Sequence, residues 1–71
     1  MAQVRSSYWR LDAVDVVLAH HDLTTPDGRA LAAHCACPLL RGADDWLVLY
    51  VSARCHLDPH RLIARLEAEA N

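Results

Sequence analysis

Three features of the chain predict an α+β fold: a small β-α-β-β-α domain in which an antiparallel hairpin carries two helices. The run Trp46–Arg54, WLVLYVSAR, is dense in branched and aromatic residues and reads as a strand. The short glycine-containing loop 41–45 joins it to another apolar stretch, Arg29–Leu40, and two strands so closely connected form a hairpin. Asp58–Pro59 followed by Leu62, Ile63 and Leu66 has the form of a helix start and its buried stripe.

Taken in order, Gln3–Tyr8 reads as a short extended segment. Ser6 and Ser7 then offer oxygens that can accept from the exposed N–H groups of a first helical turn. From Trp9 to His21, the residues Leu11, Val14, Val17, Leu18 and His21 recur at helical spacing. Asp12 and Asp15 fall near that helix start, where the macrodipole favours negative charge. Pro26–Asp27–Gly28 reads as a turn, with φ fixed at proline and free at glycine. In the hairpin register that follows, Ala33, Cys35, Cys37, Leu39, Leu47, Leu49, Val51 and Ala53 share a core face. Ala32, His34, Ala36, Val48, Tyr50, Ser52 and Arg54 share the other, half-polar face, which predicts cover by a helix or a partner. Asp58 is the expected N-cap of the last helix and Pro59 its first residue. Arg61, Arg65, Glu67 and Glu69 make its solvated side.

The chain has 71 residues, enough for a single domain spanning 1–71. Its hydrophobic fraction of 54% is sufficient for a core and excludes a disordered class. The net charge is −2 and all seven basic residues are arginine, dispersed without a basic block, which argues against nucleic acid as a partner. Met1–Arg10 contains no apolar signal-type core, and no apolar run is long enough to span a membrane. The expectation is a cytoplasmic protein with reduced thiols, and three cysteines, an odd number, fit no disulfide framework.

Three kinds of chemistry compete for the polar residues. Cys35, Cys37, Cys55 and a histidine are a possible zinc set, yet no C-x2-C or H-x3-H pair is present, and buried free cysteine packs as a small hydrophobe. Cys55–His56 supplies a thiol next to an imidazole, but strand neighbours point to opposite faces and no third orienting group accompanies them. A binding surface draws on Tyr8 and Trp9 at the first helix entry and on His34, Trp46, Tyr50 and Arg54 across the sheet, residue types enriched at interface hot spots. The alternative for the last group is packing, with Trp46 capping the core and Tyr50 lying under a helix.

In sequence order, QVR at Gln3–Arg5, LDAVDVVLAHHD at Leu11–Asp22, the RGADD loop, WLVLYVSA and LDPHRLIARLEA at Leu57–Ala68 resemble the small C-terminal subdomain of adenylate-forming enzymes. These are the adenylation domains of nonribosomal peptide synthetases and the acyl-CoA ligases. Their pattern is a strand, a helix of the type LxEVExxLxxHP, a hairpin ending in an LVAYVV-type strand, and a helix beginning LDPxxLxxxL. The resemblance covers nearly the whole chain. The family's hinge aspartate would precede Gln3, Ser6 and Ser7 stand where its RG turn has glycine, and its catalytic lysine segment would follow Asn71. No lysine occurs in the chain, and arginine is not an equivalent of it.

The resemblance therefore implies a truncated, free-standing, non-catalytic copy of that subdomain, needing no cofactor. It implies a protein-interaction role in trans with a biosynthetic synthetase, through its adenylation or carrier protein, in nonribosomal peptide or related secondary metabolism. Arg5, Tyr8, Trp9 and Arg10 match the family's core-facing segment and form one expected contact surface; His34, Tyr50 and Arg54 form the other. Two alternatives stand beside it: a small Cys/His metal-binding protein, and a homodimer paired through the half-polar sheet face or an open strand edge.

Overall fold

Pro26–Asp27–Gly28 opens a helix instead of a turn. Thr25, extended at φ −111° and ψ 148°, places its Oγ1 to accept from the Gly28 N–H at 3.0 Å. Pro26 then occupies the first helical position, where its missing N–H would have had no partner, and Asp27 lies in the first turn. Gly28 has to be glycine, because an added Cβ would lie 1.8 Å from the Asp22 carbonyl oxygen.

The computed structural model describes the backbone of residues 2–70 and the side chains of 8–69. Over that range the chain is four helices: α1 (Ala2–Ala19), α2 (Pro26–Leu40), α3 (Asp45–Arg54) and α4 (Pro59–Ala70). The predicted α+β class is thereby corrected. The expected strands at 3–8, 29–40 and 46–54 are all helical, and the described residues include no strand, hairpin or sheet. Ser6 and Ser7 lie within α1 and not at its start.

Burial follows a helical period in both supposed strands. In α2 the buried residues are Ala32, Ala33, Ala36, Cys37 and Leu40; in α3 they are Leu47, Val48, Val51 and Ser52, followed by Cys55 just past its end. Spacings of three and four residues replace alternation. Leu49, Ala53 and Cys35, expected in the core, are exposed, while Ala32, Ala36, Val48 and Ser52, expected on the outer face, are buried. Alanine-rich α2 has high intrinsic helix propensity, and its small side chains let neighbouring helices approach closely. Pro38 sits in its last turns, on the exposed side; it cannot donate to the His34 carbonyl, but it lies too near the end to break the helix.

Several helix ends are closed by local hydrogen bonds. The His20 and His21 rings each donate from Nδ1 to the carbonyls of Val16 and Val17, at 2.7 and 2.8 Å, closing the end of α1. Gly42, with φ +72°, turns the chain out of α2. Asp45 in the first turn of α3 and Arg54 in its last both complement the macrodipole. The end of α3 is a Schellman motif: the Leu57 N–H donates to the Ser52 carbonyl at 2.8 Å and the His56 N–H to the Ala53 carbonyl at 3.4 Å, with His56 left-handed at φ +54°. The expected start of α4 is present, with the Asp58 carboxylate accepting from the His60 N–H at 2.9 Å and Pro59 at the first position.

Val14 and Leu18 of α1 join the buried residues of α2 and α3 in one core, which Leu62 of α4 completes. Of the periodic positions read for the first helix, Leu11 and Val17 are partly buried against that core. Ile63 and Leu66 likewise border it, as expected for the α4 stripe. Among the described residues the one buried polar side chain, Ser52, donates from Oγ to the Val48 carbonyl one turn earlier, at 2.8 Å. Helix α1 packs chiefly on α2, α3 lies against both, and α4 packs on α3.

Candidate interaction surface

The outer seam between α1 and α3 gathers most of the chain's aromatic side chains. Positions 46, 50 and 54 follow one another at single-turn spacing along α3, and 8, 11 and 15 do so along α1, so the two rows meet side by side. At one end the rings of Tyr8 and Trp46 tilt against each other, centroids 6.3 Å apart at 46°. About 100° round α1 from Tyr8, and so off this face, the Arg10 guanidinium lies 5.8 Å from the centre of the Trp9 ring, a cation–π contact. At the other end the Tyr50 hydroxyl donates to Asp15 Oδ1 at 2.6 Å and accepts from Arg54 Nη1 at 2.8 Å. The Arg54 guanidinium is also 3.8 Å from Asp15 and 5.6 Å from the Tyr50 ring centre. The hydrogen bond that the Tyr50 phenol donates to Asp15, which ionisation would break, pushes the phenol up with a further contribution from burial; Arg54 opposes the shift.

The seam is open to solvent. Tyr8 is 60% exposed and Trp46 40%. The ion pair at its far end is about half exposed on both sides, so it fixes side-chain direction more than it stabilises the fold.

The expected contact residues thus divide. Tyr8, Tyr50 and Arg54 come together on the seam, although two separate surfaces were predicted for them, whereas Trp9 and Arg10 pair with each other on another side of α1. His34 does not join them. It is on α2, where its Nδ1 accepts from Arg65 of α4 at 2.8 Å. Arg65 and Arg41 both reach the Glu69 carboxylate, at 3.4 and 3.3 Å, so His34 belongs to a polar clasp tying α4 to α2. Those arginines, Arg41 first, hold the Glu69 carboxyl below its usual range. The Arg5 side chain lies outside the described residues. Sequence reasoning missed Leu49, assigned to the core, and left Trp46 open between cap and contact; reading α3 with a helical period would have placed both outside.

The sheet face and strand edge proposed for a homodimer are absent among the described residues. The alternative metal reading gains no support among the described residues. Two residues apart on a helix, Cys35 and Cys37 point to nearly opposite sides, one exposed and one buried. Among the described residues no three His, Cys, Asp or Glu side chains form a cluster able to hold a metal ion. Burial pushes the Cys37 and Cys55 thiols up, away from the thiolate form a nucleophile or ligand needs. An apolar cleft of about 260 Å³ lies where α2, α3 and α4 meet, lined by Leu40, Ala43, Val48, Ile63 and Leu66, below the size of a usual ligand pocket. A second, of about 430 Å³, is lined by His56, Leu57, Asp58, Arg61, Leu62 and Arg65 and holds no hydroxyl or thiol nucleophile. No described helix is long and apolar enough to cross a membrane.

The class these features define is a small four-helix domain whose distinguishing surface is an exposed aromatic–arginine seam. No protein-family model matches the chain, and no curated protein or solved structure matches it either.

Proposed function

We propose that the chain is a non-catalytic protein-interaction domain acting in the cytoplasm, with the α1–α3 seam as its contact surface. The observation that carries this reading is the Tyr8–Trp46 ring pair, exposed together with Trp9 and Leu49 on adjoining helices. Tyrosine, tryptophan and arginine dominate binding hot spots, and clustered exposed apolar side chains on a small domain mark contact sites.

The proposed partner is a biosynthetic synthetase or its carrier protein. That choice rests on the sequence resemblance alone, and the strand order through which the resemblance was read is replaced by helices. The test mixes the purified chain with adenylation and carrier proteins and follows mass by size-exclusion chromatography with light scattering. A defined complex that Trp46→Ala abolishes supports both partner and surface. A complex that survives Trp46→Ala and Tyr8→Ala removes the seam as the contact. No complex with either protein removes the synthetase as partner.

A further inference from the structure

We infer that the cleft lined by His56, Leu57, Asp58, Arg61, Leu62 and Arg65 binds a small amphiphilic carboxylate. Arg61 and Arg65 hold the anion, and Leu57 and Leu62 receive its apolar body. The cleft lies on α4 and the α3–α4 connection, away from the seam, and its role is independent of what the seam binds. Its volume of about 430 Å³ is within the range of small-molecule sites, about 300–1,000 Å³.

The first support is an arginine that the fold leaves unused. Arg10, Arg29, Arg41, Arg54 and Arg65 each meet an aromatic ring, a carbonyl or a carboxylate. Arg61 meets none among the described residues, and it is one of the two that line the cleft. It stands one turn from Arg65, and like charges at that spacing weaken a helix unless an anion lies between them. The second support is the fixing of Arg65. Its Nη2 donates to His34 at 2.8 Å and its Nε to Glu69 at 3.4 Å, which leaves Nη1 without a partner among the described residues. A planar guanidinium held through two of its nitrogens presents the third in a set direction, as recognition of a carboxylate requires. The third is His56. It lines the cleft from a left-handed backbone, φ +54°, at the helix-end position where glycine is favoured. Side chains kept in that region at a cost in stability cluster at functional sites, and this one adds an imidazole N–H donor.

Charge and lining select the ligand. Asp58 accepts from the His60 N–H, so its carboxylate is turned to the first turn of α4, where the macrodipole offsets it. Across the cleft and the adjoining clasp, Arg41, Arg61 and Arg65 face Asp58 and Glu69, which leaves one positive charge over. A singly charged carboxylate balances it, whereas a phosphate monoester, carrying about −1.5 to −2, exceeds it. The leucines give an apolar floor that a bare inorganic anion leaves uncovered.

Nuclear magnetic resonance titration of the full chain with hexanoate, at fixed ionic strength, tests this. Saturable shifts are expected in the amides of residues 56–65, with a dissociation constant on the order of 1 mM for a ligand this small. Arg61→Gln should weaken binding about tenfold, while Leu31→Asn, an exposed change on α2, leaves it unaltered. Acetate, lacking four of the methylenes, should bind at least about tenfold more weakly. Circular dichroism verifies that each variant keeps its helices. Absence of saturable shifts up to about 50 mM hexanoate overturns the site. So do shifts that Arg61→Gln leaves unchanged, or hexan-1-ol binding as tightly as hexanoate. Hexyl phosphate binding more tightly than hexanoate overturns the carboxylate as the headgroup.

Discussion

Replacing His56 by glycine should stabilise this protein, although it removes a side chain and adds backbone freedom. His56 ends α3 in the left-handed region at φ +54°, with its N–H bonded to the Ala53 carbonyl and the next N–H to the Ser52 carbonyl. A left-handed backbone brings Cβ close to the carbonyl oxygen and costs an ordinary residue about 1–2 kcal/mol. Histidine tolerates the region better than most, which sets the lower end of that range. Glycine removes the clash but gives the unfolded chain more states to lose, a penalty of about 0.4–1 kcal/mol. The His56 ring is exposed, so little packing is lost with it. At that lower end the difference is a gain of up to about 0.6 kcal/mol, or a rise in Tm of up to roughly 2–5 °C for a domain this small. Thermal denaturation followed by circular dichroism measures it, and urea unfolding should show a higher midpoint at unchanged slope. His56→Ala separates the causes, because it deletes the ring and keeps Cβ; it should bring no gain. A Tm for His56→Gly below that of the wild type, or no higher than that of His56→Ala, would refute the argument from backbone strain.

Two further outcomes follow from the same geometry. In the native protein a thiol reagent should modify Cys35 rapidly, and Cys37 and Cys55 only upon unfolding, since those two are 3% and 1% exposed; counting modified thiols with and without denaturant checks this. The Arg41–Glu69–Arg65 clasp depresses the Glu69 carboxyl, so its contribution is present above the ordinary value of 4.5 and is lost as pH falls through the lowered folded value. Glu69→Gln should therefore flatten the acid side of the Tm–pH curve and leave its shape at neutral pH unchanged; an acid slope identical to the wild type's would show that the clasp is not responsible.

The candidate surface was legible as residue types but not as a place. Tyr8, Trp9, Arg10, Tyr50 and Arg54 suggest contact by chemistry alone. Grouping Tyr8 with Tyr50 and Arg54 required the α3 row 46–50–54 to lie against the α1 row 8–11–15, which is a property of helix packing. His34 shows the opposite outcome: a polar aromatic residue flanked by cysteines suggests a site, yet its partner is Arg65, 31 residues further on, and the contact fastens α4.

Sequence alone determined the elements with a period or a cap. The 3–4 spacing of Leu11, Val14, Val17 and Leu18 marked the body of α1, and Asp58–Pro59 with Leu62, Ile63 and Leu66 marked α4, because a single apolar stripe between polar residues has one consistent periodicity. It also placed Arg61, Arg65, Glu67 and Glu69 on the solvent side. Only the tertiary structure decided α2 and α3. ALAAHCACPLL and WLVLYVSAR are apolar on every side, so they satisfy a strand and a helix alike, and β-branched content at Val48 and Val51 favours the strand locally. Packing resolves the ambiguity. As helices the two segments bury Ala33, Ala36, Cys37 and Leu40 with Leu47, Val51 and Cys55 against Val14 and Leu18, and every element meets one core. A continuous apolar run carries no period of its own, and its conformation is set by the neighbours on which it packs.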